Sequence, residues 1–586
     1  MESTFSLQDT LAKSPMPSLQ SSCDKLLEWT APLLSQQEWL KTKELVTQFT
    51  SPDGEGVKLQ NSLENGANNK NILNWTAPVW LDSYLTARYS LVINSNVFYY
   101  LKSKLSREIF SQGQIATALV RCIFEFKLLI DNGELSVDRQ KGQPICMAQY
   151  KHLFSATRIP KKGKDELAIT TAKKHIIVLF KAHIFKLDIV NEQGDIYSFS
   201  EIEAALKQIM ATTEQGQNFG VLTTMERDAW AESRITLLND NQKNQAQIKQ
   251  IEEAVFALCL DENSPDSLVD TSQMLLHGDG SNRFFDKSLQ FIVFKNGKTG
   301  VNFAHTGMDG AVMLRLIGHI YDNIDKYTLN EEAASVIVPE PLTFDLSSEL
   351  TATLQNASKD FYLAVNNTQT RVLNFSQFGK NQVKKFNMSP DAFLQVALQL
   401  AEYKLYGKCY SAYEAIMTRS FLQGRIDVLY TVSAESMAFI KNINDVNCDK
   451  HTIIASLRKA TEKHITRANE CRLGHGIHTH FLGLISRFQA EGEQMGMTTL
   501  PNIFTDNGYQ TLTHSVVCTS TTAEYGVELA GYGPVVEDGY GIRYFTRADS
   551  ICFNITSRTA IKDNLDLMVQ YIELSLVEMA ELMRNL

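Results

Sequence analysis

The residues with the clearest capacity for chemistry are His305-Thr306-Gly307-Met308-Asp309-Gly310, which read H-x-x-x-D-G. An imidazole changes charge near neutral pH. A histidine at the end of a strand is therefore well placed to take a proton from a reacting hydroxyl. The pattern alone is unspecific, because any His and Asp four apart match it. Three other histidines, His475, His478 and His480, resemble a metal cluster. On a regular helix 475 and 478 share a face while 480 points elsewhere. They cannot converge from one helix, and no metal is expected. By residue type, Lys380, Lys384 and Lys385 are a solvated charge run.

The elements around His305 are legible. Leu289 to Phe294 is a strand run, Asn296-Gly297 gives a hairpin turn, and Gly300 to Ala304 returns as a strand. His305 then opens a loop, and an apolar helix starts near Ala311. Elsewhere, residues 175–190 are strand-like, while 100–155 and 199–260 have helical patterns. Residues 51–75, rich in Gly, Asn and Asp, are expected to form a long surface connection. Residues 390–406 form a strong helix with Ser389 as N-cap. The last third alternates helices (450–490, 564–584) with strand runs (515–519, 541–545, 550–556). Mixed helices and strands define an α/β or α+β class with sheet cores.

The chain has 586 residues and 44% hydrophobic content, too long for one ordinary domain. Pro339 and Pro341 break the chain, and a boundary is placed there: 1–345 carries His305, and 346–586 follows. The segment near 77–100 is expected to pack with the second domain. A net charge of −10 argues against a nucleic-acid binder, and an anionic ligand needs a local basic patch. The nine cysteines are scattered without C-x-x-C, which fits a reducing compartment. With no export or transit signal and no apolar run of about 18 residues, a cytoplasmic protein without a membrane span is expected.

Several long segments resemble the choline/carnitine O-acyltransferase family. They are Pro17 to Leu34, Trp80 to Arg88, Gly142 to Pro160, Asn282 to Val293, Ser389 to Leu400 and Gly531 to Tyr540. The resemblance spans nearly the whole chain. It implies two similar chloramphenicol-acetyltransferase-like domains with mixed sheets and an active-site tunnel at their interface. It also implies acyl-CoA as cosubstrate with no permanently bound cofactor, a small alcohol as acceptor, and a monomer. His305 matches the family's base, and Asp309 and Arg425 match a pair that holds its loop. Ser520, the last residue of Cys518-Thr519-Ser520, matches a serine beside the reacting oxygens. Cys518 departs from the family's serine and is read as a small buried residue, not a nucleophile. Lys380 and Lys384 match phosphate-binding lysines, and Asp391 matches an acid near the pantetheine or adenosine end.

The acceptor positions depart from the carnitine type. Members that bind carnitine's carboxylate use a tyrosine, a threonine and an arginine. This chain has Tyr413, then Ile426 and Thr479. A buried carboxylate without its arginine loses a charge-assisted bidentate pair, so carnitine should be a poor substrate. Choline-type members resemble the chain more closely at Ile426 and Thr479, although Val428-Leu429-Tyr430 matches neither subgroup. Ala530, which with Thr519 completes the expected substrate-binding set, stands where a bulky methionine blocks long acyl chains, so volume for a longer tail is expected. A choline-like alcohol is the first expectation. The alternatives are an acyl-carrier-protein-bound donor with a non-standard alcohol, a carnitine acyltransferase, a hydrolase, and a non-catalytic scaffold.

Overall fold

A computed structural model describes residues 3–171, 174–239, 241–328 and 335–584. Two mixed sheets organise it. The strands of the first, apart from one contributed by the later part of the chain, are β1 (Val97–Leu101), β2 (His175–Phe180), β3 (His183–Asp188), β4 (Ala257–Asp261), β5 (Leu289–Phe294), β6 (Thr299–Phe303) and β7 (Glu340–Leu342). The later strands are β8 (Thr368–Phe375), β9 (Ala412–Met417), β10 (Ile426–Tyr430), β11 (Val517–Thr521), β12 (Val527–Tyr532), β13 (Tyr540–Thr546) and β14 (Ile551–Arg558). The eight-stranded sheet runs β7-β3-β2-β4-β5-β6-β1-β12, and the six-stranded sheet runs β8-β14-β13-β11-β9-β10. β12, from the second half of the chain, thus closes the edge of the sheet that ends in the catalytic candidate loop.

The apolar runs explain the central strands. β2, β4 and β5 pair in parallel and are buried along their whole length. Sheets covered on both faces favour such unbroken hydrophobic strands. The hairpin before His305 is as expected: β5 and β6 pair antiparallel from Leu289↔Phe303 to Val293↔Thr299. Gly297 has φ +80°, the left-handed conformation that the tight turn requires. Helix Pro390–Tyr406 starts at Ser389, whose side chain accepts from the Ala392 amide. It is buried almost throughout and packs with helix Lys562–Arg584 in the second core. The N-terminal helices Leu19–Thr30 and Thr76–Thr86 share a core with β10 and helix His478–Glu491.

Three local expectations are corrected. Residues 51–75 are not a surface connection: Glu55–Ala67 is a helix. Leu59 and Leu63, four apart, bury one face, a spacing hidden by the Gly and Asn around it. Within 100–155 the long helix is Gln112–Asp131 alone. The 450–490 helix is two, Lys450–Arg472 and His478–Glu491, separated at Gly474 with φ +78°. Among the described residues, no helix is long and apolar enough to cross a membrane.

Candidate active site

β6 ends at Phe303, and the chain turns through His305 into helix Gly310–Asn323. Asp309 occupies the N-cap position of that helix, yet its side chain makes no cap bond. Its carboxylate is already used. Oδ1 accepts from Arg425 Nη2 at 2.8 Å, and Oδ2 accepts from Gln149 Nε2 at 2.8 Å. Gln149 Oε1 in turn accepts the Asp309 amide at 2.8 Å. Arg425 also donates to the carbonyls of His305 (2.8 Å) and Thr306 (2.6 Å). One guanidinium at the start of β10 therefore fixes the backbone of the loop that leaves β6. Gly310 leaves room for Tyr99, since a Cβ there would sit 2.4 Å from the Tyr99 hydroxyl and the ring would have to shift.

The His305 ring is 23% exposed, and its Nδ1 lies 3.5 Å from Asp309 Oδ1. The Tyr84 hydroxyl is 3.4 Å from the same nitrogen, and the two rings stack with centroids 5.4 Å apart. Arg425 also lies over the Tyr84 ring, 5.0 Å from its centroid. Nδ1 thus faces Tyr84 and Asp309 on the protein side. Burial lowers the His305 pKa below the usual histidine value. The Asp309 charge opposes this, while Arg425 and Arg543 add to it. The net effect favours the neutral ring, the form of imidazole that can accept a proton.

His305 lines a cavity of about 1020 Å³ between the sheets. The sequence candidates Asp309, Tyr413, Ile426, Thr519 and Ser520 line it too, while Arg425 stands behind His305. Thr479 is set back from this wall, in a small adjoining cavity it shares with Ile426 and Asp427. Its amide and hydroxyl both donate to Asp427 Oδ1, at 3.2 and 2.8 Å. Ala530 is fully buried in β12 and does not line the cavity; Tyr99, its partner across the ladder, does. The Cys518 thiol is buried and its pKa is pushed up to about 11, mainly by burial. A thiol so disfavoured as thiolate is a poor nucleophile.

Lys380 and Lys384 stand one turn apart on the exposed face of helix Lys380–Lys385. Asp391 lies beside Glu414 and His464, with His464 Nε2 3.7 Å from Asp391 and 3.3 Å from Glu414. Burial opposes charge on His464, but the two carboxylates outweigh it and raise its pKa. The two carboxylates therefore favour the charged form of His464. A hydrogen-bonded chain joins this cluster to the cavity wall. Tyr544 donates to Asp391 (2.7 Å), and Gln395 donates to Tyr544 (3.0 Å) and to Thr519 (2.9 Å). The histidines 475, 478 and 480 point apart. His475 is exposed, His478 meets the Tyr430 hydroxyl, and His480 sits between Ser22 and Gln60.

Sequence reasoning missed Tyr84, Gln149, Glu414, His464 and Arg543. The first two lie inside segments that carried the family resemblance, yet neither residue type stands out there. Arg543 had its own signal: a cation within an otherwise apolar strand run, Gly541 to Phe545.

A cavity between two mixed sheets, walled by a histidine beside a buried Asp–Arg pair, defines an α/β protein with a candidate site between its sheets. The choline/carnitine O-acyltransferase family model matches residues 14–574, and the chain belongs to that family. It is an acyl-CoA-dependent O-acyltransferase. It is 32% identical to carnitine O-acetyltransferase of Rattus norvegicus, over 99% of this chain and 94% of the relative. It is 31% identical to the mitochondrial carnitine O-palmitoyltransferase 2 of Mus musculus, over 94% of this chain and 89% of the relative. Trichothecene 15-O-acetyltransferase of Fusarium sporotrichioides aligns over 85% of this chain and 94% of that one, with a TM-score of 0.38 and 9% identity.

Proposed function

We propose that this protein moves an acyl group from acyl-CoA to the hydroxyl of a small, choline-like alcohol, with His305 as general base. The observation that carries the reading is the His305 ring on the cavity wall, with Asp309 and Tyr84 beside Nδ1 and Nε2 left for substrate. Nε2 takes the hydroxyl proton as the acceptor oxygen attacks the thioester carbonyl. The carbonyl electron pair moves onto its oxygen, where Ser520 donates a hydrogen bond. Collapse breaks the C–S bond, and the imidazolium returns its proton to the thiolate. The products are an ester and free CoA, with no acyl-enzyme. Lys380 and Lys384 hold the CoA phosphates, and Asp391 lies toward its other end. Asp309 and Arg425 hold the loop, and Tyr413, Ile426 and Thr519 face the substrates.

Choline is preferred over carnitine because neither Ile426 nor Thr479, the two positions that would meet an acceptor carboxylate, carries a cation. Thr479 is neutral and committed to Asp427, and Arg425 is committed to Asp309. The carnitine names of the relatives make carnitine the competing acceptor. Thiol release from acetyl-, hexanoyl- and octanoyl-CoA, with choline, carnitine or no acceptor, separates the two. Choline-dependent release is expected. Faster release with carnitine overturns the preference, and equal release without acceptor indicates a hydrolase.

Two further outcomes follow from the same geometry. Thr479→Arg combined with Ile426→Thr should raise the carnitine-to-choline rate ratio roughly 10- to 100-fold, the range of one hydrogen bond to a charged group. The Ile426 change is needed for room, because Thr479 is buried beside a cavity of about 20 Å³. An unchanged ratio means that the acceptor carboxylate would lie elsewhere. In addition, kcat/KM should hold down to a pH below the ordinary histidine range and fall only there. The sign follows from burial, which depresses the His305 pKa so that the neutral base persists into acid. A pH–rate profile whose acid limb lies above the ordinary histidine range contradicts this.

A further inference from the structure

Arg543 is a buried cation. It sits on β13, is 4% exposed, and lines the main cavity. Among the described residues no carboxylate pairs with it. Its Nη1 donates to Ser520 Oγ, and Nη2 donates to Thr522 Oγ1 (2.5 Å) and to the Tyr99 hydroxyl (3.2 Å). Its Nε–H is buried without a partner. The guanidinium also lies 5.7 Å from the ring centroids of Tyr99 and Phe545. The ladder makes this placement regular, since Ser520 on β11 and Arg543 on β13 are register partners.

A buried charge without its counterpart is costly, which is a poor arrangement for stability alone. It is a good arrangement where negative charge develops only during the reaction, because the interaction then strengthens in the transition state and not in the ground state. Acyl transfer from a thioester creates such a charge on the carbonyl oxygen. A hydroxyl has one proton and two lone pairs. With Arg543 donating into a Ser520 lone pair, the Ser520 proton is left for another acceptor.

We propose that Arg543 is a positioning residue that orients the Ser520 hydroxyl as the oxyanion donor and supplies the positive charge behind it. The inference rests on Ser520 being that donor. Arg543 acts through Ser520 and does not itself contact the reacting atoms. Thr522 and Tyr99 hold the guanidinium plane so that its free energy of ordering is met before substrate arrives.

The test is a double-mutant cycle on acetyl-CoA turnover with the acceptor that supports release: Ser520→Ala, Arg543→Met, both together, and Arg543→Lys, each checked by thermal melting. Ser520→Ala should lower kcat by about 10²- to 10³-fold, the typical loss of one oxyanion donor. Arg543→Met should lower kcat by about 10- to 100-fold with the KM for acetyl-CoA changed by less than about threefold, since only the transition state uses the charge. Arg543→Lys should recover most of the loss. The double variant should fall within about threefold of Ser520→Ala, because residues acting as a unit are not additive. Multiplicative losses in the double variant overturn the linkage. A slow Ser520→Ala beside a normal Arg543→Met refutes the role of Arg543 alone, whereas a normal Ser520→Ala removes the donor assignment and this inference with it. An Arg543→Met defect confined to an acyl-CoA with a terminal carboxylate, such as succinyl-CoA, would instead make Arg543 a substrate-carboxylate site and overturn the proposal.

Discussion

Replacing His305 by alanine lowers kcat by about 10²- to 10⁴-fold, the span general-base catalysis contributes, and leaves the fold intact. The expectation for the fold follows from what His305 does not do. Its ring is partly open to the cavity, and the backbone bonds that fix the loop run from Arg425 to the His305 and Thr306 carbonyls, which alanine retains. Tyr84 loses a stacking partner worth about 0.5–1.5 kcal/mol but keeps its contact with Arg425. Thiol-release kinetics and thermal melting of the same preparation check both halves. A His305→Ala variant that turns over at near the parental rate removes His305 as the base. A variant that does not fold means that the ring is a core element, and His305→Gln then becomes the informative substitution.

Asp309→Ala gives the largest expected loss of stability, about 3–5 kcal/mol, the cost of removing one partner of a buried ion pair. Arg425 is 6% exposed and would retain its carbonyl bonds but no counter-charge. Gln149 would lose its acceptor at 2.8 Å as well. The pair also sets a pH dependence. Burial pushes the Asp309 carboxyl up, but Arg425, His305 and Gln149 together outweigh it and hold its pKa below the ordinary aspartate value. A depressed carboxylate pKa contributes stability above the unfolded-state value and loses it as pH falls through the folded-state value. The parental protein should therefore lose this contribution only in acid below the usual aspartate range, and Asp309→Ala should show no such dependence. Urea unfolding of both proteins across acid pH measures the difference. A loss under about 1 kcal/mol at neutral pH would mean that Arg425 finds another anion or water.

The second prediction bears on the first. Asp309 lies near His305 Nδ1 and carries the Arg425 clamp, so Asp309→Ala should also reduce turnover through loop disorder. Asp309→Asn keeps hydrogen bonding to Gln149 and removes the charge. A turnover deficit in Asp309→Asn with the melting temperature restored would assign Asp309 an electrostatic role on His305 beyond holding the backbone.

Much of the site was legible in residue order because its parts are local. The hairpin Leu289 to Ala304 has alternating turn and strand signals over few residues, and its register places His305 at the strand exit whatever the rest of the chain does. The Ser389 cap and the apolar helix behind it are equally local. Helix Glu55–Ala67 was misread for the same reason in reverse: its local composition is that of a loop, and only burial of Leu59 and Leu63 against the second half of the chain makes it a helix. Arg543 and Ser520 are separated by 23 positions and become neighbours only through parallel pairing of β11 and β13.

The sequence by itself determined the α/β class, the family resemblance, and the types of residue available for acyl transfer, because these depend on short-range pattern and on side-chain chemistry. Tertiary structure alone decided which of those side chains meet. It brought Arg425 onto Asp309 across 116 positions and set Arg543 behind Ser520. It turned Thr479 onto Asp427 and buried Ala530 behind the cavity wall. The physical reason is that charge pairing and desolvation depend on distance in space, and chain separation carries almost no information about distance once strands from both halves share a sheet.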